Sequence, residues 1–113
     1  ESRTTENVSI SARIGSELGA DIIKTPFAPN FNDVVSKCYV PVVILGGSKR
    51  GKERDMLADI KSAIDAGASG VAIGRNIWQA EDPRAMTAAI AAIIHQNASV
   101  EEAMEIMFEK VSF

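Results

Sequence analysis

The sequence predicts an α/β fold built on a parallel sheet. Short apolar runs, Ile22-Ile23, Pro41-Val-Val-Ile-Leu45 and Gly70-Val-Ala-Ile73, alternate with longer segments of helical periodicity. The connections between them are short and rich in Gly, Pro and Asn. Two stretches, "SELGADIIKT" and "IDAGASGVAIGR", each run helix, Gly-Ala turn, strand. Alternation of this kind implies right-handed βαβ units, and therefore parallel strands.

The elements follow in order. Val8, Ala12, Ile14 and Leu18 recur at loosely helical spacing from about Asn7, and Gly19 supplies a helix stop. Asp21-Ile-Ile-Lys24 is a short strand. Pro26, Pro29 and Asn30 make a loop, and Asn32 is placed to cap a short helix through Cys38. Pro41 to Leu45 is an unbroken apolar run, as expected for a strand covered on both faces. "GGSKRGKERD" (Gly46 to Asp55) is a polar, glycine-rich loop. Met56, Leu57, Ile60, Ala63 and Ile64 form one apolar stripe of a helix that Gly67 ends. Gly70 to Ile73 is the third strand, followed at once by Gly74-Arg75-Asn76. Asp82 and Pro83 are an N-cap and N1 pair, opening a helix to about His95. Ser99 and Glu102 form a capping box for a last helix, with Met104, Met107 and Phe108 on its apolar face.

The chain has 113 residues, 46% of them apolar and 24% charged, with a formal charge of −3. That acidic balance argues against a nucleic-acid or anionic-membrane surface. No apolar run approaches the roughly 20 residues that span a bilayer. No signal peptide is visible, and the chain begins at Glu1 rather than at a methionine. The lone Cys38 leaves no internal disulfide, which fits a cytoplasmic setting. Three parallel strands alone have two open edges and little core. Residues 1–113 are therefore expected to be one part of a larger unit, with no separate domain and no low-complexity linker.

In parallel α/β folds, ligands lie at the carboxyl ends of the strands. Lys24-Thr25, Gly46-Gly47-Ser48 and Gly74-Arg75 fall there and are expected to face one rim. Lys24 closes a strand that otherwise reads as buried. Desolvation lowers a lysine's pKa, and the neutral amine that results attacks carbonyls to form a Schiff base. Strand position also admits a plainer reading, in which Lys24 snorkels out and pairs with an acid. Gly46-Gly47 lets backbone N–H groups approach an anion without side chains in the way. Gly74-Arg75 precedes a short "NIWQ" turn and adds a helix start and a guanidinium. Eight-stranded barrels commonly build a phosphate site from the loops after strands 7 and 8 and a short extra helix. Singly, each glycine pair reads equally as a tight turn with Arg75 solvated; together they favour phosphate.

Other residues take structural readings. His95 is a cation at a helix end. "SKRGKER" (Ser48 to Arg54) reads as a solvated loop, with Lys49 or Arg50 within reach of a phosphate as the alternative. Trp78 is expected to pack in the core or an interface, and Cys38 has no visible base partner. The Met and Phe stripe of the last helix is packing or a subunit contact. There is no metal-ligand spacing, no Walker motif and no Ser/His/Asp set, and no cofactor is expected.

From about Ser11 to His95, "ARIGSELGADIIKT", "VPVVILGG" and "AGASGVAIGRNIWQAEDP" resemble the last third of the archaeal-type class I fructose-bisphosphate aldolases. That family includes related ketose-phosphate synthases and the thiolase of a phosphorylated autoinducer. The resemblance implies strands 6 to 8 of a (β/α)8 barrel. It implies that Lys24 is the Schiff-base lysine, that Gly46 and Gly47 hold phosphate after strand 7, and that Gly74 and Arg75 do so after strand 8. The implied reaction is reversible aldol cleavage of a phosphorylated ketose by a homo-oligomer. Two alternatives stand beside it: a thiolase or transaldolase-like transfer on the same lysine, and a catalytically dead phosphate-binding module. Pro26-Phe27 replaces the aromatic pair often found after the Lys-Thr of the family. The family's acid/base residues, an aspartate on an early strand and a tyrosine or histidine on a middle one, have no counterpart in this sequence. The chain is thus expected to be a fragment, or one piece completed by another.

Overall fold

The computed structural model describes residues 4–46 and 53–108. Its elements are α1 (Thr5–Glu17), β1 (Ile23–Thr25), α2 (Phe31–Ser36), β2 (Val42–Leu45), α3 (Glu53–Asp65), β3 (Gly70–Ala72), α4 (Arg75–Trp78), α5 (Pro83–Gln96) and α6 (Val100–Phe108). The strands form one sheet in the order β1-β2-β3, and both pairings are parallel. Lys24 pairs with Val43, and Val43 pairs with Gly70.

This register divides the sheet into two unlike faces. Successive strand residues point to opposite sides. Ile23, Thr25, Val42 and Ile44 are buried. They share the core side with Val8 and Ala12 of α1, Phe31 and Val34 of α2, and Leu57, Ile60 and Ala63 of α3. Met86, Ala89, Ile90 and Ile93 of α5 and Ala103 of α6 extend the same cluster. Full burial of Leu57 or Ile60 contributes about 1.5–3 kcal/mol each. The other face carries Lys24, exposed, with Val43 and Leu45 half-buried. The expectation that β2 is covered on both sides therefore fails among the described residues: one face is packed and the other is open.

Helix ends follow local chemistry. Thr4 caps α1 by accepting from the Asn7 N–H at 3.2 Å. Gly19 and Gly67, just past α1 and α3, take φ of 98° and 108°, which a side chain at Cβ disfavours. The Asp82 carboxylate accepts from the Ala85 N–H at 3.1 Å, with Pro83 at the first helical position. Ser99 and Glu102 make the reciprocal capping box: the Glu102 N–H donates to Ser99 Oγ at 3.1 Å, and the Ser99 N–H donates to Glu102 Oε1 at 3.0 Å.

Two local expectations need correction, and two more are narrowed by the structure. Asn32 is not the cap of α2: the helix starts at Phe31, and Asn30 precedes it in the left-handed region with φ 54°. The start thus lies two residues earlier than expected, which places Phe31 in the first turn, buried against the core. Ile14 and Leu18 do not face the core; they are 51% and 83% exposed, because α1 turns Val8, Ser9, Ala12 and Ser16 inward instead. Of the two places expected for Trp78, the core is not the one it takes: it is 71% exposed, since four-residue α4 lies at the rim and buries Asn76 instead. On α6 the fully buried residue is Ala103, while Met104 and Met107 are half-buried and Phe108 is exposed.

Candidate active site

The carboxyl ends of β1, β2 and β3 lie side by side, because the strands are parallel and adjacent. Each delivers one of the residues that the sequence singles out. Lys24 is the middle residue of β1, flanked by buried Ile23 and Thr25, and its own side is exposed. Alternation fixes this: with Ile23 and Thr25 packed on the helices, the residue between them must project from the open face. Of the described lysines, Lys24 alone lies on a strand; Lys37 ends α2, and Lys61 on α3 bonds Asn97 Oδ1 at 2.8 Å and Asp65 Oδ1 at 3.2 Å. The desolvation that the sequence reading requires of Lys24 is not supplied by the described residues, which leave its face open to water.

Gly46 follows β2 directly, and Gly74 precedes α4 two residues beyond β3. Gly47, Lys49 and Arg50 lie outside the described residues. With a rise of about 3.3 Å per residue and about 4.8 Å between strands, the Gly46 and Lys24 backbones are roughly 11 Å apart. The two glycines differ in their surroundings. A Cβ at Gly74 would meet nothing within 4 Å. A Cβ at Gly46 would lie 2.8 Å from Asn76 Nδ2 and 3.0 Å from Ile73 Cγ2. Part of the need for glycine at position 46 is therefore close packing against β3 and α4, a reason that "GG" in a sequence does not reveal. Arg75 opens α4 and is exposed; the Gly74 carbonyl accepts from the Ile77 and Trp78 N–H groups at 2.9 and 3.1 Å, which closes the turn.

Two buried polar side chains near the rim were given no role by the sequence. Thr25 is 6% exposed and its Oγ1 donates to the Pro26 carbonyl at 3.3 Å. Asn76 is 8% exposed and lies against Gly46. Both are polar residues that a short loop or strand end accommodates on many surfaces, so only their burial marks them. Between the β1 and β2 loops and α3 opens a cleft of ≈ 290 Å³, lined by Phe27, Leu45, Gly46, Met56, Asp59 and Ile73 among others. The Phe27 ring stacks on Phe31 with centroids 5.6 Å apart.

Cys38 is not part of the rim. Its Sγ donates to the Val34 carbonyl at 3.4 Å, and burial pushes the thiol up from its ordinary value, so it remains protonated at neutral pH. His95 lies in the last turn of α5, exposed and away from the strand ends. Among the described residues, no group of three or more His, Cys, Asp or Glu is placed to hold a metal. No described helix is long and apolar enough to cross a membrane.

Adjacent parallel strands with connecting helices on one face, and polar and glycine residues gathered at their carboxyl ends, define part of a (β/α)8 barrel. The chain belongs to the DeoC/LacD family of aldolases, whose model matches residues 1–80. It is 48% identical over 102 residues to 2-amino-3,7-dideoxy-D-threo-hept-6-ulosonate synthase 1 of Archaeoglobus fulgidus, covering 90% of this chain and 39% of that protein. It is 46% identical over 105 residues to the 3-hydroxy-5-phosphonooxypentane-2,4-dione thiolase of Salmonella typhimurium, covering 92% of this chain and 36% of the thiolase. A solved Schiff-base-forming fructose-1,6-bisphosphate aldolase superposes with a TM-score of 0.80 at 36% identity, over 84% of this chain and 40% of that one. The chain thus spans less than two-fifths of the length of the curated relatives it matches.

Proposed function

We propose that this chain supplies the Schiff-base lysine and the phosphate clamp of a class I aldolase-type barrel. The observation that carries the reading is the position of Lys24, the one described lysine on a strand, on the face turned away from the helices. In a closed barrel that face is the interior, whose carboxyl end holds the chemistry. The likeness to a Schiff-base-forming aldolase supports the same assignment.

In this reading Lys24 attacks the substrate carbonyl as a neutral amine. Loss of water gives an iminium, which withdraws the electron pair of the neighbouring C–C bond as that bond breaks. The rest of the barrel, laid over the open face, removes water from around the amine and so favours its neutral form. The backbones at Gly46, Gly47 and Gly74 and the Arg75 guanidinium hold the substrate phosphate. Binding that remote group positions the carbonyl over Lys24. The proton-transfer groups belong to barrel strands outside residues 1–113, and their loss costs on the order of 10²–10⁴-fold in rate. The substrate is a phosphorylated ketose of the fructose-bisphosphate kind. The protein acts in the cytoplasm as a homo-oligomer, with the half-buried Met104 and Met107 and exposed Phe108 of α6 as its subunit contact.

A second reading has a specific observation behind it. The relatives named as a synthase and a thiolase are 48% and 46% identical to this chain, against 36% for the fructose-bisphosphate aldolase. That ranking supports a thiolase or transaldolase-like transfer on the same lysine, and product analysis with candidate phospho-sugars separates the two.

Borohydride treatment of the protein carrying this chain, in the presence of a phosphorylated ketose, tests both against a dead binding module. A reduced adduct on the peptide containing Lys24 is the expected result. Binding of the ketose without any trapped adduct would leave the module as the correct description.

A further inference from the structure

We infer that Asn76 is a positioning residue that clamps the end of β2 to the first turn of α4, and so sets the spacing of the two halves of the phosphate site; the inference rests on the phosphate reading above. Asn76 is the buried residue of α4, at 8% exposure, in a helix whose Arg75, Trp78 and Gln79 neighbours are exposed. A polar amide is expensive to bury, so a rim helix that hides its asparagine and leaves its tryptophan in water is shaped by that amide. The buried amide lies against Gly46. Asn76 Nδ2 is the nearest atom to where a Gly46 side chain would start, at 2.8 Å. The absence of a side chain at position 46 and the presence of an amide at position 76 are thus two halves of one contact.

The contact spans the gap that the clamp must keep constant. Gly46 ends β2, while Gly74 and Arg75 start the segment after β3. Beyond the paired residues Leu45 and Ala72, the two chains separate into different loops. Asn76 joins them again immediately above that point. An amide has both donor and acceptor atoms, so it suits backbone on either side, whereas a carboxylate there would add charge of the same sign as the phosphate. Asn76 touches no reacting atom in this arrangement; it acts through the groups it holds.

The test compares wild type, Asn76→Ala and the isosteric Asn76→Asp in the complete protein. Each is assayed on a phosphorylated ketose, on its unphosphorylated counterpart, and with inorganic phosphate as competitor. Asn76→Ala is expected to raise KM for the phosphorylated substrate on the order of tenfold, as for other residues that support a ligand site. Inhibition by inorganic phosphate weakens by a similar factor, while kcat and turnover of the unphosphorylated substrate hold. Asn76→Asp, which preserves volume, shows the larger loss. In a double-mutant cycle, Gly46→Ala costs less in the Asn76→Ala background than in wild type, because the 2.8 Å approach is gone. Should Asn76→Ala fail to fold, Asn76→Asp carries the phosphate comparison alone. Equal losses on both substrates, or unchanged phosphate inhibition in folded variants, overturn the role of Asn76. Wild type that inorganic phosphate does not inhibit overturns the phosphate reading itself, and the inference with it.

Discussion

At the scale of single residues, the rim offers three side chains or vacant Cβ positions whose consequences differ. Lys24→Met removes the amine and keeps an unbranched side chain on an exposed strand position, so folding is little affected. Borohydride-dependent incorporation of a phosphorylated ketose should vanish; incorporation that persists would move the Schiff base to another lysine. The two glycines make a matched contrast. Gly46→Ala drives a methyl to 2.8 Å from the Asn76 amide and 3.0 Å from Ile73, and overpacking of this kind costs about 1–3 kcal/mol. Gly74→Ala meets nothing within 4 Å, at a φ of −115° that any residue adopts. Its effect on stability should stay within about 0.5 kcal/mol, as for other open positions, while inhibition by inorganic phosphate weakens. Thermal unfolding of the two variants checks the pair, and equal destabilisation would contradict the packing at Gly46. Residue type and order made the rim positions of Lys24, Gly46, Gly74 and Arg75 legible, since a lysine after two isoleucines and glycines after apolar runs break a pattern. Asn76 breaks none: in "GRN" it reads as a turn residue, and its contact joins segments 30 positions apart.

At the scale of elements, the helices were the most legible part, because their stripes and caps are local in sequence. Leu57, Ile60 and Ala63 are buried as their spacing requires, and Asp82 and Ser99 cap as their positions require. The stripes of α1 and α6 were less legible, since Ile14, Leu18 and Phe108 are apolar yet exposed. Spacing says that a helix has an apolar side; only packing says which apolar residues the fold uses. The last helix offers a measurable consequence. Ser99→Ala removes the acceptor for the Glu102 N–H and should cost about 0.5–2 kcal/mol. The other half of the box is titratable. The hydrogen bond from the Ser99 N–H holds the Glu102 carboxyl below the ordinary carboxylate value, and the exposed Arg54 guanidinium, bonded across from α3, does the same for Glu101. Both groups have a folded pKa below the unfolded one. Their contribution is fully present above the ordinary carboxylate range and is lost as pH falls through the lowered value. Acid should therefore loosen α6 before the α3 core, followed by amide exchange along residues 100–108, and Glu102→Gln should flatten that dependence. Loosening of α6 that is independent of pH would show that its hold comes from Ala103 and its neighbours alone.

At the scale of the whole molecule, the unlike faces of the sheet are the feature to explain. Sequence alone reads Val42 to Leu45 as covered on both sides, and its composition is right for that. What it cannot indicate is whether the cover lies within the same 113 residues. Here it does not among the described ones, because helices pack on only one side, and β1 and β3 are both edges. A groove of ≈ 330 Å³ runs along the free edge of β1, lined by Val8, Ala12, Gly15, Ile23 and Pro26 among others. Backbone polarity converts this into a prediction. The Ile23 N–H donates to the Pro41 carbonyl at 2.9 Å and the Ser69 N–H to the Val42 carbonyl at 2.8 Å, so both point toward β2. Alternation then turns the Lys24 N–H outward, to the free edge of β1. In β3 the pairing of Gly70 with Val43 and Ala72 with Leu45 turns the Gly70 and Ala72 N–H groups toward β2 and the Val71 N–H to the other free edge. A closed barrel pairs those outward groups with its neighbouring strands; an open sheet leaves them to water. In the complete protein, amide exchange at Lys24 and Val71 should be as slow as at Ile44 in the central strand. In the 113-residue chain on its own, the same two should exchange far faster than Ile44, and the open face should bind an apolar dye. Fast exchange at Lys24 in the complete protein would leave β1 as a true edge and its lysine in bulk water. No wall would then desolvate the amine, and the Schiff-base chemistry would have to be sought elsewhere in the molecule.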